Sequence, residues 1–323
     1  MPLLPPNPFA DLEDTEYWNQ VGVEWRLRVA RKKNRFGFKF ENPIRKVKRM
    51  NPFQHHGIAH LSPSAVNMFT NSPSAWMAKA LLGHKFSVGP AAWRGIASED
   101  ALSHYTFMDA SPEECFDLAI QKFDSLKSGM DFSPDVEKER DRLHRYVLNG
   151  IDAMLELKNE YGVGQAQKPP LGTWNGQWEV GLPCRFGEQQ DEKIQVIGYL
   201  DFLFANKNNK HTIVDIKTTA RIPSEWRPDH AMQAAFYKRA HGKTPDVLFV
   251  YVSPKQEGKP NAFSILRLDD DTYQRELSRM KSSIKRMSNL LRLSDDPFVL
   301  VEAVPHDESS FYWDGEPSLD QII

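Results

Sequence analysis

The sequence predicts an α/β protein with a mixed β-sheet core flanked by helices and a helical elaboration on its N-terminal side. Two observations lead to this class. Apolar residues recur at helical spacing through the first half of the chain, whereas short runs rich in β-branched and aromatic residues follow from residue 177 onward. The order of helices, a three-strand meander, a helix, a strand and more helix indicates a layered domain with a mixed sheet.

The helical half begins at Ser62, a suitable N-cap that is followed by Pro63 at the first helical position. Gly83 ends the second helix, and the longest candidate repeats apolar residues every three or four positions. A loop rich in Gly, Pro and Gln, 162–176, marks the change from helices to strands. We predict helices at 74–82, 90–107, 112–126, 134–161, 231–240 and 271–293, and strands at 177–182, 193–204, 211–218, 247–252 and 263–268.

Two acidic residues interrupt apolar strands at positions where a buried strand would ordinarily carry a hydrophobic residue. If the strands on either side of Asn208 form a hairpin, the numbers of facing residues sum to 416, which sets Asp201 opposite Asp215. Alternation along the second strand puts Lys217 on the same face as Asp215. Unpaired charges on a buried face are costly, and a divalent cation with oxygen ligands would stabilise them. The alternative is that each acid caps a turn or pairs with a lysine, and these three residues alone do not distinguish the two.

Four short motifs follow one another in an order that is typical of one superfamily. They are Arg94-Gly-Ile-Ala-Ser-Glu99 on a helix, Gly198-Tyr-Leu-Asp201 and Val214-Asp-Ile-Lys217 on strands, and Gln233-Ala-Ala-Phe-Tyr237 on the next helix. Together they resemble the PD-(D/E)xK nucleases, specifically the RecB-like branch that includes CRISPR-adaptation nucleases and phage recombination exonucleases. The resemblance covers about residues 60–255 and implies a restriction-endonuclease-like fold. Each motif is weak by itself, and their order makes the prediction specific.

The resemblance also implies roles for individual residues. Asp201 and Asp215 would ligate one or two Mg²⁺ or Mn²⁺ ions, and Lys217 would orient the attacking water and stabilise charge on the phosphate. Glu99 stands where many RecB-like nucleases carry a histidine ligand, which indicates a different subfamily. The predicted catalytic residues are Asp201, Asp215, Lys217, Gln233 and Tyr237; the predicted metal ligands are Glu99, Asp201, Asp215 and the backbone carbonyl of Ile216.

Contacts with nucleic acid are expected in two places. Arg94, Thr218 and Thr219 lie beside the predicted site in the sequence motifs. Between Arg26 and Arg49 there are also eleven Lys or Arg residues and one acid, and this run includes Arg31, Lys32 and Lys33. Such a run is a candidate surface for the phosphate backbone, although a solvated arm without a partner is an equal alternative.

These features divide the chain into three parts. Residues 1–57 form a basic, irregular N-terminal arm, and 301–323 form a C-terminal tail. Residues 58–300 form the nuclease-like domain, with a helical insertion at about 108–165.

Composition excludes several classes of protein. The net charge of −2 is too small for a general polyanion binder, and two cysteines cannot hold an iron–sulfur cluster. No segment is apolar enough over about 18 residues to span a bilayer, and no signal peptide is apparent at the start of the sequence. We therefore expect no membrane partner and a cytoplasmic location, in a bacterial cell or a phage-infected host.

The predicted function is that of a metal-dependent DNA nuclease, more specifically an exonuclease in DNA recombination, repair or phage DNA processing. No Gly-x-x-x-x-Gly-Lys-Ser/Thr loop occurs, so an ATP-driven helicase would have to be a partner, as could a single-strand annealing or binding protein. The alternatives are a non-catalytic DNA-binding or assembly protein on the same fold, a structure-specific endonuclease and a nuclease that acts on RNA.

Overall fold

Two β-sheets, one of four strands and one of two, lie among the helices of this chain. The structure is a computed structural model, and it describes residues 51–127, 133–161, 176–182, 192–205, 210–242, 244–255, 262–307 and 309–322. The helices are α1 (Pro52–His55), α2 (Pro63–Asn71), α3 (Pro73–Leu81), α4 (Pro90–Met108), α5 (Pro112–Leu126), α6 (Pro134–Tyr161), α7 (Pro228–His241), α8 (Asp270–Leu291), α9 (Pro297–Glu302) and α10 (Leu319–Ile322). The strands are β1 (Gly176–Gly181), β2 (Lys193–Gly198), β3 (Phe202–Ala205), β4 (His211–Thr218), β5 (Asp246–Val252) and β6 (Phe263–Arg267).

The larger sheet is mixed, as predicted, with strand order β3-β4-β5-β6. Strands β3 and β4 are antiparallel, β4 and β5 are parallel, and β5 and β6 are antiparallel. A parallel pair cannot be joined by a tight turn, and here the connection contains helix α7. The observed architecture therefore confirms the predicted fold class.

Hydrophobic cores lie on both faces of the larger sheet, which explains why β5 is apolar at every buried position. Val247, Phe249 and Tyr251 belong to a core that also contains residues of α2, α3, α7 and α8. Leu248 and Val250 point the other way, into a core with α4, α5 and α6. Alternate residues of a strand face opposite sides, so a central strand between two helical layers is buried throughout.

Local signals fix the ends of several helices. The Ser62 side chain accepts a hydrogen bond from the backbone N–H of Ala65 at the start of α2. At α5, Ser111 and Glu114 form a reciprocal capping box, so both residues satisfy backbone groups that the helix leaves free. Asp269 caps α8 by accepting from the N–H of Thr272, at 2.7 Å.

The segment 193–204, which the sequence predicts as one strand, is two strands in two sheets. Strand β2 pairs antiparallel with β1 in the small sheet, whereas β3 pairs with β4 in the larger one. The chain leaves the first sheet at Gly198 and enters the second at Phe202. Apolar, β-rich composition continues across the break, and composition alone does not show where a chain changes its hydrogen-bonding partner. The single-strand prediction is wrong for this reason.

The segments at the two ends of the predicted domain contribute to its core. Phe53 in α1 is fully buried, and the Asn51 side chain donates a hydrogen bond to the carbonyl of Lys193 at 2.7 Å. At the other end, Trp313 and Leu319 of the predicted tail are 5 % exposed and pack in the same core. Helices α5 and α6, from the predicted insertion, pack on α4. None of the helices that the structure describes is long and apolar enough to cross a membrane.

Candidate active site

The β3–β4 register brings Asp201 and Asp215 together. Phe202 pairs with Val214 and Leu203 with Ile213, so the residue numbers sum to 416 as predicted. Asp201 directly precedes β3, and extending the β3–β4 register by one residue sets Asp201 opposite Asp215. The predicted turn around Asn208 lies outside the described residues. Asp215 is fully buried, whereas Asp201 is half-buried. The predicted juxtaposition of the two carboxylates is therefore confirmed.

Lys217 lies on the same face of β4 as Asp215 and forms an ion pair with it. The Lys217 Nζ atom is 2.6 Å from Asp215 Oδ1 and 5.3 Å from the ring centre of Phe249. Burial alone would lower the pKa of Lys217, but the charges of Asp215 and Asp201 outweigh burial and raise it. The Lys217 side chain as a whole keeps 25 % exposure.

The surroundings of Asp201 favour the neutral form of its carboxyl group. Burial raises its pKa well above the usual value, and the negative charges of Asp215 and Glu99 raise it further. A hydrogen bond to Asp215 also favours the protonated form, and only the charge of Lys217 acts in the other direction. The site therefore concentrates more negative charge than its own lysine neutralises.

Two residues of α7 hold the buried carboxylate from the helical side. The Tyr237 hydroxyl donates a hydrogen bond to Asp215 Oδ2 at 3.3 Å and accepts one from the Gln233 side-chain amide at 2.6 Å. The two residues lie four apart, on one face of the helix. Burial and the charges of Asp215 and Asp201 raise the pKa of Tyr237 well above its usual value, so its proton is retained.

Glu99 and Ile216 complete the predicted ligand set. Glu99 is half-buried on α4, and its charge acts on both Asp201 and Lys217. Ile216 is 7 % exposed, and its side chain packs in the core on the opposite face of the sheet. Its predicted contribution is a backbone carbonyl between the acid and the lysine.

The chemistry of these donors fits a hard divalent cation. The donors are all oxygen, from Asp201, Asp215, Glu99 and the Ile216 carbonyl, as Mg²⁺ and Mn²⁺ prefer. Apart from the ion pair with Lys217, Asp215 Oδ1 accepts no hydrogen bond from a described residue. Lys217 forms an ion pair with this oxygen. Within the described ranges, no three His, Cys, Asp or Glu side chains are arranged so that they could hold a metal ion. The site therefore fits a divalent cation in the type of its donor atoms and in its negative charge.

The residues predicted to contact nucleic acid are distributed differently. Arg94 is 6 % exposed, and its guanidinium pairs with Glu139 and donates to the Thr218 hydroxyl and carbonyl at 3.3 Å. Its described partners are therefore within the protein, where it fixes the end of β4. The Thr219 hydroxyl donates to the carbonyl of Arg221 at 2.9 Å. The third set, Arg31, Lys32 and Lys33, lies outside the described residues.

His230 and Tyr251 belong to this region although sequence reasoning did not select them. Tyr251 pairs directly with Lys217 in the parallel β4–β5 ladder, and its hydroxyl lies 2.7 Å from His230 Nδ1. Burial lowers the pKa of His230 to about 4, Asp229 opposes that shift, and the charge of Lys217 adds to it. The imidazole is therefore neutral near pH 7. The alternation of side chains along β5 indicates which residues share a face with Tyr251. Selecting Tyr251 as a site residue also requires knowing that β5 lies beside β4.

Comparison with known proteins identifies the family of this chain through a sequence model. Among solved structures, the crystal structure of SSO0001 is similar at 11 % identity, covers 56 % of this chain and 69 % of its own, and superimposes with a TM-score of 0.27. No curated protein matches the chain. A sequence model of the PD-(D/E)XK nuclease superfamily matches residues 60–298, well over half of the chain. This chain belongs to the PD-(D/E)XK nuclease superfamily.

Proposed function

We propose that this protein is a divalent-metal-dependent deoxyribonuclease that hydrolyses phosphodiester bonds, and that it acts as an exonuclease. The observation that carries the proposal is the convergence of Asp201, Asp215 and Lys217 at the end of the β3–β4 hairpin. Membership of a nuclease superfamily supports the reaction class. The order of the sequence motifs supports a role in DNA recombination, repair or phage DNA processing, with a helicase or an annealing protein as the proposed partner.

Lys217 supplies the positive charge that phosphodiester hydrolysis requires. The attacked phosphate gains negative charge as the new bond forms, and an ammonium fixed beside it stabilises that charge without further reorganisation. The ion pair with Asp215 and the ring of Phe249 hold the Lys217 side chain in place. Its partial exposure lets a phosphate approach from solvent.

Asp215 is positioned by its neighbours before any substrate arrives. Lys217 contacts one carboxylate oxygen, and the Tyr237 hydroxyl donates to the other. Gln233 in turn fixes the hydroxyl of Tyr237. A carboxylate with this many contacts loses little freedom when it binds a ligand, which favours tight geometry in the site.

The proposed metal ligands are Asp201, Asp215, Glu99 and the carbonyl of Ile216. When bound there, Mg²⁺ or Mn²⁺ lowers the pKa of the attacking water and stabilises charge on the phosphate. The chain's own contribution is a cluster of carboxylates whose mutual repulsion favours a cation.

Cleavage assays with two DNA forms test the proposal. End-labelled linear DNA and closed circular DNA are each incubated with Mg²⁺, with Mn²⁺ and with a chelator. Wild type is compared with Lys217→Ala and with Asp215→Asn, which keeps the shape of the buried side chain. Lys79→Ala is the matched control, because Lys79 is exposed on α3 and carries the same charge.

We expect metal-dependent loss of linear DNA with wild type and with Lys79→Ala. The Lys217→Ala and Asp215→Asn proteins should lose at least about a hundredfold in rate. Cleavage of the circle would replace exonuclease with endonuclease, and turnover of Asp215→Asn at the wild-type rate would overturn the site. DNA binding without cleavage under every condition would favour a non-catalytic binding protein.

A further inference from the structure

A groove of about 620 Å³ lies between strand β1 and the helices α7 and α8. Its walls are the backbone and side chains of residues 178–182, together with Arg239, Lys281 and Lys285. On α7, Arg239 follows Tyr237 by two positions, which is about 200° around the helix. Since Tyr237 faces Asp215, the groove lies on the other side of α7 from the candidate active site.

The basic groove, defined by Arg239, Lys281 and Lys285, holds more positive charge than the described residues around it neutralise. None of the three side chains forms an ion pair with a residue that the structure describes, and all three are exposed. The acid in the groove wall, Glu179, is paired instead with Lys193 of the neighbouring strand at 3.4 Å.

Helix α8 carries basic residues of two kinds, those with and those without an ion-pair partner among the described residues. Arg275 and Arg279 both pair with Glu276, whereas the two lysines of the groove have no such partner among the described residues. Lys281 and Lys285 are four residues apart, on one face of the helix, where like charges repel each other. A bound anion would relieve that repulsion.

The apolar residues of the groove are covered. Trp178, Val180 and Leu182 are between 5 % and 7 % exposed, and Lys281 Nζ lies 5.6 Å from the ring centre of Trp178. The indole is therefore not open for a base to stack on it. Strand β1 pairs with β2 on one edge, and within the described residues its other edge carries no strand. The groove thus offers positive charge and hydrogen-bond donors, without an exposed apolar anchor site.

We propose that the basic groove binds the phosphates of a nucleic acid strand, as a second contact away from the catalytic carboxylates. The proposal deepens the nuclease function and rests on it for the choice of a nucleic acid as the polyanion. Because the positive charges of Arg239, Lys281 and Lys285 do the binding, the contact is independent of base sequence and strongly dependent on salt. An acidic peptide added along β1 is the competing ligand, but it would need pockets for alternate side chains, and those positions are filled.

Equilibrium binding to labelled DNA tests the groove separately from cleavage. A fluorescein-labelled, mixed-sequence duplex and its single strand are titrated with full-length protein in chelator, over a series of salt concentrations. Lys281→Gln/Lys285→Gln is compared with wild type. The matched control is Lys79→Gln/Lys85→Gln, which removes the same charge from exposed positions outside the groove.

The groove variant should bind DNA several-fold more weakly than wild type. The slope of log affinity against log salt should become shallower by about 1.8 for the duplex and about 1.4 for the single strand, as expected for two lost phosphate contacts. The control should keep the wild-type slope. A groove variant with the wild-type slope overturns the proposal. Poly-glutamate is titrated in the same way as a probe for an acidic peptide. A groove variant that loses binding of poly-glutamate while its DNA binding is unchanged also overturns the proposal.

Failure of the groove and failure of the nuclease assignment give different results. If wild type cleaves DNA and the groove variant keeps the wild-type salt slope, the groove proposal alone fails. If the groove variant shows the expected slope but no metal condition produces cleavage, the nuclease proposal alone fails and the groove remains a nucleic acid site.

Discussion

At Asp201, the requirement of folding conflicts with the proposed role of this carboxylate as a metal ligand. Burial, Asp215 and Glu99 raise the pKa of this carboxyl group, so the fold favours its protonated form. A group whose pKa is higher in the folded state than in the unfolded state stabilises the protein below the unfolded pKa. That contribution is lost as pH rises through the folded pKa. Near neutral pH, in the absence of metal, this carboxyl group therefore contributes less to the stability of the fold than it does at acidic pH.

We predict that Asp201→Asn raises the melting temperature of the metal-free protein by a few degrees at pH 7–8 while abolishing cleavage. The gain should shrink as the pH is lowered below about 4, because Asp201 then becomes neutral in both states. Thermal unfolding in chelator across this pH range measures the effect.

Asp124→Asn is a control of opposite sign. Asp124 accepts two hydrogen bonds from Arg140 at 2.8 Å, and these contacts lower its pKa. Its replacement should leave the melting temperature unchanged or reduce it. A lower melting temperature of Asp201→Asn at every pH would contradict the account of Asp201.

Tyr237→Phe should reduce turnover by about tenfold, which corresponds to about 1.4 kcal/mol. The change removes the hydroxyl that joins Gln233 to Asp215, and hydrogen bonds to charged groups contribute about 1.5–3 kcal/mol. Single-turnover cleavage at saturating metal gives the rate. Tyr146→Phe is the control, since the buried Tyr146 hydroxyl has no hydrogen-bond partner among the described residues. Equal rates for the two variants would show that Tyr237 does not position Asp215.

The site could be predicted from sequence where its residues are close in the chain or follow a periodic pattern. The facing of Asp201 and Asp215 follows from hairpin symmetry, and the Gln233–Tyr237 contact follows from helical spacing. Tyr251 could not be selected in this way, because its neighbour Lys217 lies across a parallel pair with a whole helix between. The buried pairing of Arg94 with Glu139 likewise depends on how two helices pack.

At the scale of secondary structure, helices are more predictable from the sequence than strand partners. Prolines and capping side chains near helix starts are local signals, so α5 and α6 begin and end at the predicted residues. The division of 193–204 between two sheets depends on tertiary contacts instead. At Gly198, an added Cβ atom would lie 2.5 Å from the ring of Phe236 on α7. Glycine at position 198 permits β2 to approach helix α7 closely. The strand propensity of the sequence does not reveal this constraint.

Gly198→Ala is predicted to lower the free energy of unfolding by about 1–3 kcal/mol, because Phe236 must move. Activity should fall as well, since Phe236 adjoins Tyr237. Gly181→Ala is the matched control, because it also ends a strand of the small sheet and an added Cβ atom meets nothing within 4 Å. Urea denaturation and cleavage rates measure the two effects. Similar stability of both alanine variants would contradict the close packing of β2 on α7.

At the scale of the whole molecule, a bound cation is expected to stabilise the folded protein. The carboxylates converge only in the folded state, so a metal ion that binds them shifts the folding equilibrium by about 2.7 kcal/mol at one hundred times its dissociation constant. We expect Mg²⁺ or Mn²⁺ to raise the melting temperature of wild type by several degrees. Asp215→Asn should show a much smaller shift, and an equal shift in both proteins would place the ion elsewhere. Differential scanning calorimetry makes the comparison.

The break between β2 and β3 links the two sheets through residues 199–201, which belong to neither. The last of these residues is the carboxylate that faces Asp215. The small sheet carries β1, and β1 forms one wall of the basic groove. Because β1 pairs with β2, a ligand in the basic groove would contact the same small sheet from which the chain continues, three residues after Gly198, to Asp201. The small sheet and the candidate site are thus joined by three residues of backbone, so a change in the position of β2 would also move Asp201.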